Sequence, residues 1–140
     1  MIELEIGPDI AGRVRVGLLA IEGTTVREHD AALAAEVDGL CASLRDRYGA
    51  GRSSEVPGAA DARTLYKALG IDPTKTRPSN EALLRRALKG EPLYRVNTLV
   101  DALNLCSLRE QLPFGLYDLD RVRPPVVLRQ GLPGEGYELM

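Results

Sequence analysis

Aromatic residues are scarce in this chain: five Tyr, the single Phe114 and no Trp make up 4% of it. Aliphatic side chains must therefore supply most of the core, and stacking surfaces for bases are few. Histidine is rarer still. His29 is the sole one, so any Ser-His-Asp or Cys-His arrangement could use only this residue. It sits near the start of a helix beside Glu28 and Asp30 and reads as a solvated side chain. Two cysteines, Cys41 and Cys106, lie far apart without the paired spacing of a zinc site or a redox motif, and read as free thiols of a cytoplasmic protein. No stretch approaches the roughly 18 apolar residues of a membrane span, and the N-terminus MIELEIGPDI has no signal-peptide core. A phosphate-binding GxxxxGK[ST] loop, a GxGxxG fingerprint after a strand and an EF-hand spacing are all missing, so neither a cofactor nor a metal is expected.

What remains is a chain of 140 residues that is 44% apolar, enough for one core and too short for two ordinary ones. A single domain over 1–140 is expected. The net charge is −2, but residues 62–95 hold eight basic groups against Asp72, Glu81 and Glu91, a balance of +5 that leaves −7 elsewhere. This asymmetry fits either a polyanion-facing side or a solvated helical surface.

Periodicity divides the chain into elements. Ile2 to Ile6 alternates apolar and acidic residues as a strand does, and Val14 to Ile21 reads as a second strand. From Arg27 the period turns helical, with Leu33, Val37, Leu40, Leu44 and Tyr48 on one face until Gly49. A turn-rich loop from Gly49 to Gly58 leads to a helix over about 59–69, ended by Gly70. In GIDPTKTRPSNEALLRRALKG, Ser79 is positioned to cap a third helix with Glu81 in its positive first turn. Leu83, Leu84, Ala87 and Leu88 face inward there. Arg85, Arg86 and Lys89 form a basic ridge near Lys75 and Arg77, a candidate RNA-phosphate surface. Leu116 to Asp120 and Val126 to Arg129 read as short strands, with GLPGEGYEL leading into one more.

The helix that opens VNTLVDALNLCSL is apolar around most of its circumference, yet Asn97, Asp101 and Asn104 fall in one narrow wedge at about 100° per residue. A buried carboxylate such as Asp101 must be paired, hydrogen-bonded or at a wet cavity. Two readings stand: the three residues staple neighbouring loop backbone, or part of the wedge lines a polar pocket whose mouth is shaped by Gln111, Pro113, Phe114 and Gly115.

The ordered series LGIDPTKTRPSNEALLRRALKG, VNTLVDALNLCSL, LPFGLYDLD, VVLRQG and GEGYEL resembles the B3/B4 domain, found in the beta chain of phenylalanyl-tRNA synthetase and as a free-standing protein. The resemblance covers about residues 60–139. It implies an α+β fold with an antiparallel sheet core carrying four helices, and an association with tRNA or aminoacyl-tRNA. In the synthetase this domain hosts an editing pocket that hydrolyses tyrosine wrongly attached to the phenylalanine tRNA. By similarity the family's pocket asparagine falls on Asn104 and its pocket proline on Pro113, so Asn97, Asn104, Pro113, Phe114 and Gly115 form the candidate aminoacyl pocket. The family's threonine is Leu103 here and its histidine is Gly115. Its catalytic glutamate lies beyond the turn matched by Gly134-Glu135, past Met140. The sheet is accordingly expected to be incomplete at the C-terminus, with an open edge that suits a homodimer. Three functions compete: a tRNA or aminoacyl-end binder, a trans-editing deacylase with Asp101 as the one carboxylate in reach of a water, and a small-molecule or protein-binding module.

Overall fold

A computed structural model of the protein describes residues 3–49 and 51–136. Among these residues it contains four α-helices, one 3-10 turn and two short strands: β1 (Leu4–Ile6), α1 (Ala31–Tyr48), the 3-10 turn (Ser53–Glu55), α2 (Pro57–Ala68), α3 (Ser79–Leu88), α4 (Thr98–Glu110) and β2 (Val126–Leu128). The chain forms two compact units, one of residues 1–22 with 117–140 and one of residues 23–116.

The larger unit is helical, and its boundaries follow from local chemistry. Asp30 caps α1 by accepting the Leu33 N–H at 2.9 Å, which starts the helix four residues later than its apolar period suggests. Pro57 occupies the first position of α2, where a missing N–H costs nothing. Both α2 and α3 end in the same way. Gly70 N–H reaches Lys67 O while Ile71 N–H reaches Tyr66 O, and Gly90 N–H reaches Ala87 O while Glu91 N–H reaches Arg86 O. With φ of 76° and 71° at the two glycines, each is a Schellman motif, which a side chain at the left-handed position would strain. Pro78, not Ser79, holds the N-cap position of α3, and no side chain caps that helix.

The core of this unit joins Val37 and Leu44 of α1, Val56 and Ala59 at the start of α2, Leu84 and Leu88 of α3, Leu93, and Leu105 and Leu108 of α4. Leu84 and Leu108 are wholly buried. Aliphatic packing thus serves where aromatics are few, and helices α1, α3 and α4 share one apolar centre.

The smaller unit corrects the expected fold. Instead of an antiparallel sheet core, the described residues hold a two-stranded parallel sheet with β1 beside β2, in the register Leu4↔Val126, Glu5↔Val127 and Ile6↔Leu128. Residues 14–21 and 116–120 are not strands. Their apolar content suits a pleated surface, but a strand needs a neighbour to take its backbone groups, and only three residues of each partner find one here. Leu18, Leu19, Leu116 and Tyr117 remain exposed. The strand anticipated at the C-terminal end falls largely on residues outside those described. A bidentate pair closes the turn after β2: Arg129 Nη1 and Nη2 donate to the two oxygens of Glu135 at 2.7 Å each.

Candidate functional site

The polar residues of α4 separate by position. Asn97 is the N-cap and not a helical residue, and its side-chain oxygen accepts the Leu99 and Val100 N–H groups at 3.1 and 2.9 Å. Asp101 is 6% exposed, and its Oδ1 accepts the Val96 N–H at 3.2 Å. Thr98 adds a long-range tie, with its N–H on Arg27 O at 2.8 Å and its Oγ1 accepting from Arg27 N–H at 3.0 Å. These bonds fasten the leading turn of α4 to the segment before α1. Asn104 stands apart, half-buried one turn further along.

A cavity of about 540 Å³ lies between the end of α1, the start of α2 and the end of α4, with Tyr48, Val56, Leu65, Leu112 and Pro113 among its lining residues. Of the five residues of the candidate aminoacyl pocket, Pro113 lines it and Asn97, Asn104, Phe114 and Gly115 do not. Beside this cavity the chain makes a tight crossing. Asn80, fully buried in the first turn of α3, donates from Nδ2 to Gln111 O at 2.8 Å and to Gly58 O at 3.4 Å. Gln111 ends α4 in the left-handed conformation, with φ of 56°.

A second cleft, of about 400 Å³, gathers charge. Its walls are the loop 51–54, Arg63 of α2, Arg77, and Glu81, Arg85, Leu88 and Lys89 of α3. Glu81, Arg85 and Lys89 follow one another at steps of four on a single helical row. The Glu81 side chain, 3% exposed, is the hub. Arg63 Nη1 donates to its two oxygens at 3.0 and 2.9 Å, Arg77 Nε lies 3.4 Å from Oε1, and Ser53 Oγ is 3.5 Å from the same oxygen. Five cationic residues, Arg52, Arg63, Arg77, Arg85 and Lys89, thus line the same cleft as one carboxylate, and two of them, Arg63 and Arg77, contact it. Arg52 and Lys89 also touch Glu55 and Glu91 at 3.8 and 3.6 Å, across exposed pairs that bind weakly.

The expected basic ridge is therefore divided. Arg77, Arg85 and Lys89 enter the cleft, whereas Arg86 turns back on its own chain, donating from Nε and Nη2 to Pro92 O at 3.1 and 2.8 Å and lying 4.2 Å over the Tyr94 ring. Lys75 is exposed and does not line the cleft. Arg52, Arg63 and Glu81 join this cleft without a signal in the sequence pattern. Glu81 reads locally as a dipole-compensating surface acid, and nothing in the local pattern says that Arg63 reaches it.

His29 is exposed. Among the described residues no group of three or more His, Cys, Asp or Glu is placed to hold a metal ion, and no helix is long and apolar enough to cross a membrane.

The model of the B3/4 domain matches residues 61–140, more than half of the chain. The chain belongs to the B3/4 domain family. The B3/4 match takes in Arg63, Arg77, Glu81, Arg85 and Lys89, so most of the charged cleft lies in the family segment, while Arg52 and Ser53 come from the chain before it. No curated protein and no solved structure matches the chain.

Proposed function

We infer that this B3/4 protein is a cytoplasmic module that binds tRNA or the aminoacyl end of aminoacyl-tRNA, taking RNA phosphate in the cleft between α2, α3 and the loop 51–54. The observation that carries this reading is the convergence of Arg52, Arg63, Arg77, Arg85 and Lys89 on one cavity around Glu81. Guanidinium forks match phosphate oxygens in pairs, and the binding free energy arises largely from release of counterions from the RNA.

Trans-editing has less support. The oxygen of Asp101 that meets Val96 N–H is engaged in holding backbone, and Gly115 brings no side chain to act as a base. The apolar cavity at Tyr48, Leu65 and Pro113 favours a small-molecule ligand as the second reading.

Fluorescence anisotropy with labelled tRNA, titrated at several salt concentrations, tests the first reading. Binding is expected to weaken steeply with salt, and Arg85→Glu is expected to reduce it about tenfold at fixed salt. Retention that ignores salt, or full binding by Arg85→Glu, would overturn it. Following the ester of tyrosyl-tRNA in the same samples reads hydrolysis separately.

A further inference from the structure

We propose that the α2–α3 cleft receives the terminal 5′ phosphate of an RNA, a phosphate monoester, and not a run of internal phosphodiesters. This rests on the RNA-binding reading of the same cleft and narrows its ligand.

The first ground is convergence. A track for successive phosphates needs cations arranged along a line, and the row of α3 with its preceding loop could have supplied one. The structure breaks that line. Arg86 is committed to Pro92 O and the Tyr94 ring, and Lys75 lies outside the cleft, while Arg52 and Arg63 arrive from two other segments to face the same cavity as Arg77, Arg85 and Lys89. Cations that line one cleft from several segments suit a group whose oxygens also point in several directions. A terminal phosphate presents three such oxygens, and an internal diester presents two.

The second ground is the charge at the back of the cleft. Five cationic residues against Glu81 leave the lining at +4, and a phosphate monoester carries about −1.5 to −2 near neutral pH, with a second pKa of about 6. Glu81 acts here as a positioning residue. Among the interactions described, it engages Arg63 through Nη1 and Arg77 through Nε, leaving the remaining N–H groups of both guanidiniums for a ligand. The Arg85 side chain makes no ion pair or hydrogen bond among those described and is exposed, while its carbonyl accepts the Lys89 N–H within the helix end. The hydroxyls of Ser53 and Ser54 add neutral donors at the rim.

The third ground is size. A cleft of about 400 Å³, backed by Glu81 and Leu88, is in the range of small-ligand sites, enough for a terminal phosphate with part of its nucleotide. In any tRNA the 5′ phosphate lies at the foot of the 3′ single strand, so a site for it would bring the protein to the aminoacyl end without base recognition.

The test uses one tRNA in two forms, with its 5′ monophosphate and after phosphatase treatment, measured by anisotropy against the full chain, with inorganic phosphate and adenosine monophosphate as competitors. The phosphorylated form is expected to bind about tenfold more tightly, the strength of a few charge-assisted hydrogen bonds. That difference is expected to vanish in Arg85→Gln and in Lys89→Gln, two exposed positions whose change leaves the core intact. Equal binding of both forms overturns the monoester site and leaves the RNA-binding reading standing. Failure of both forms to bind overturns that reading and the site with it. Full displacement of the RNA by inorganic phosphate or adenosine monophosphate at matching concentrations assigns the cleft to a free small phosphate and overturns its assignment to RNA.

Discussion

Arg63 on α2 donates from Nη1 to both carboxylate oxygens of Glu81 in the first turn of α3, at 3.0 and 2.9 Å, across 18 positions of sequence. The arginine side chain is 18% exposed and the glutamate 3%. This pair ties two helices together at the back of the charged cleft, so the same bond serves the fold and the site.

Arg63→Ala leaves the buried Glu81 carboxylate with Arg77 as its one remaining cationic partner among those described. A loss of about 3 kcal/mol is expected, since removing one member of a buried pair strands the other. Urea denaturation reads it as a lower midpoint at unchanged slope. Adding Glu81→Gln to Arg63→Ala is expected to recover part of the loss. An Arg63→Ala midpoint equal to that of the parent would mean the pair contributes nothing.

Gly58 packs against the end of α4 so closely that an added Cβ would lie within 2.4 Å of Gln111 Cβ and Gln111 O. Gly58→Ala must therefore push apart the crossing that Asn80 spans, at an expected cost of about 1–3 kcal/mol. Thermal melting followed by circular dichroism checks this. A melting temperature equal to the parent's would show that the crossing can yield freely.

Arg129 and a backbone N–H from Leu132 hold the carboxyl of Glu135 down to about 2 from its ordinary 4.5. Because the folded value is depressed, the folded state binds fewer protons than the unfolded one between these limits, and stability rises with pH there. The contribution is complete above about 4.5 and disappears as pH falls through about 2. A carbon-detected NMR titration of Glu135 is expected to show its midpoint near the lower value, and Arg129→Gln to return it toward the upper one. A midpoint near 4.5 in the unchanged protein would contradict the pairing.

The two thiols differ in environment. Cys106 is exposed, whereas Cys41 on α1 is half-buried and its pKa is raised, first by burial and then by the charge of Asp38. Since the thiolate is the reactive form, iodoacetamide at mildly alkaline pH is expected to modify Cys106 well before Cys41. Peptide mass spectrometry over a time course measures the order, and simultaneous modification would count against it.

The helices were legible because their signals are local. Leucine spacing and terminating glycines act over three to five residues, whereas Pro57 reads as part of the loop and starts α2 two residues before the expected helix. At the start of α4 two local signals compete. The period puts Asn97 on the polar wedge of the helix, but an asparagine before Thr-Leu-Val is also a good N-cap, and the cap geometry prevails. The sheet could not be read in this way. Alternating apolar residues state a capacity for pleating, and residues 14–21 and 116–120 have that capacity without a neighbour to realise it.

The sequence by itself determined where the helices run and that positive charge is concentrated between residues 62 and 95. Only the tertiary structure decided which of those charges meet. It brought Arg63 and Ser53 onto Glu81 through contacts that cross 18 to 28 positions, and placed Arg52 on the same cleft. Side chains so far apart in sequence share no local pattern. Their meeting depends on how α2 and α3 pack, which is decided by the whole core at once.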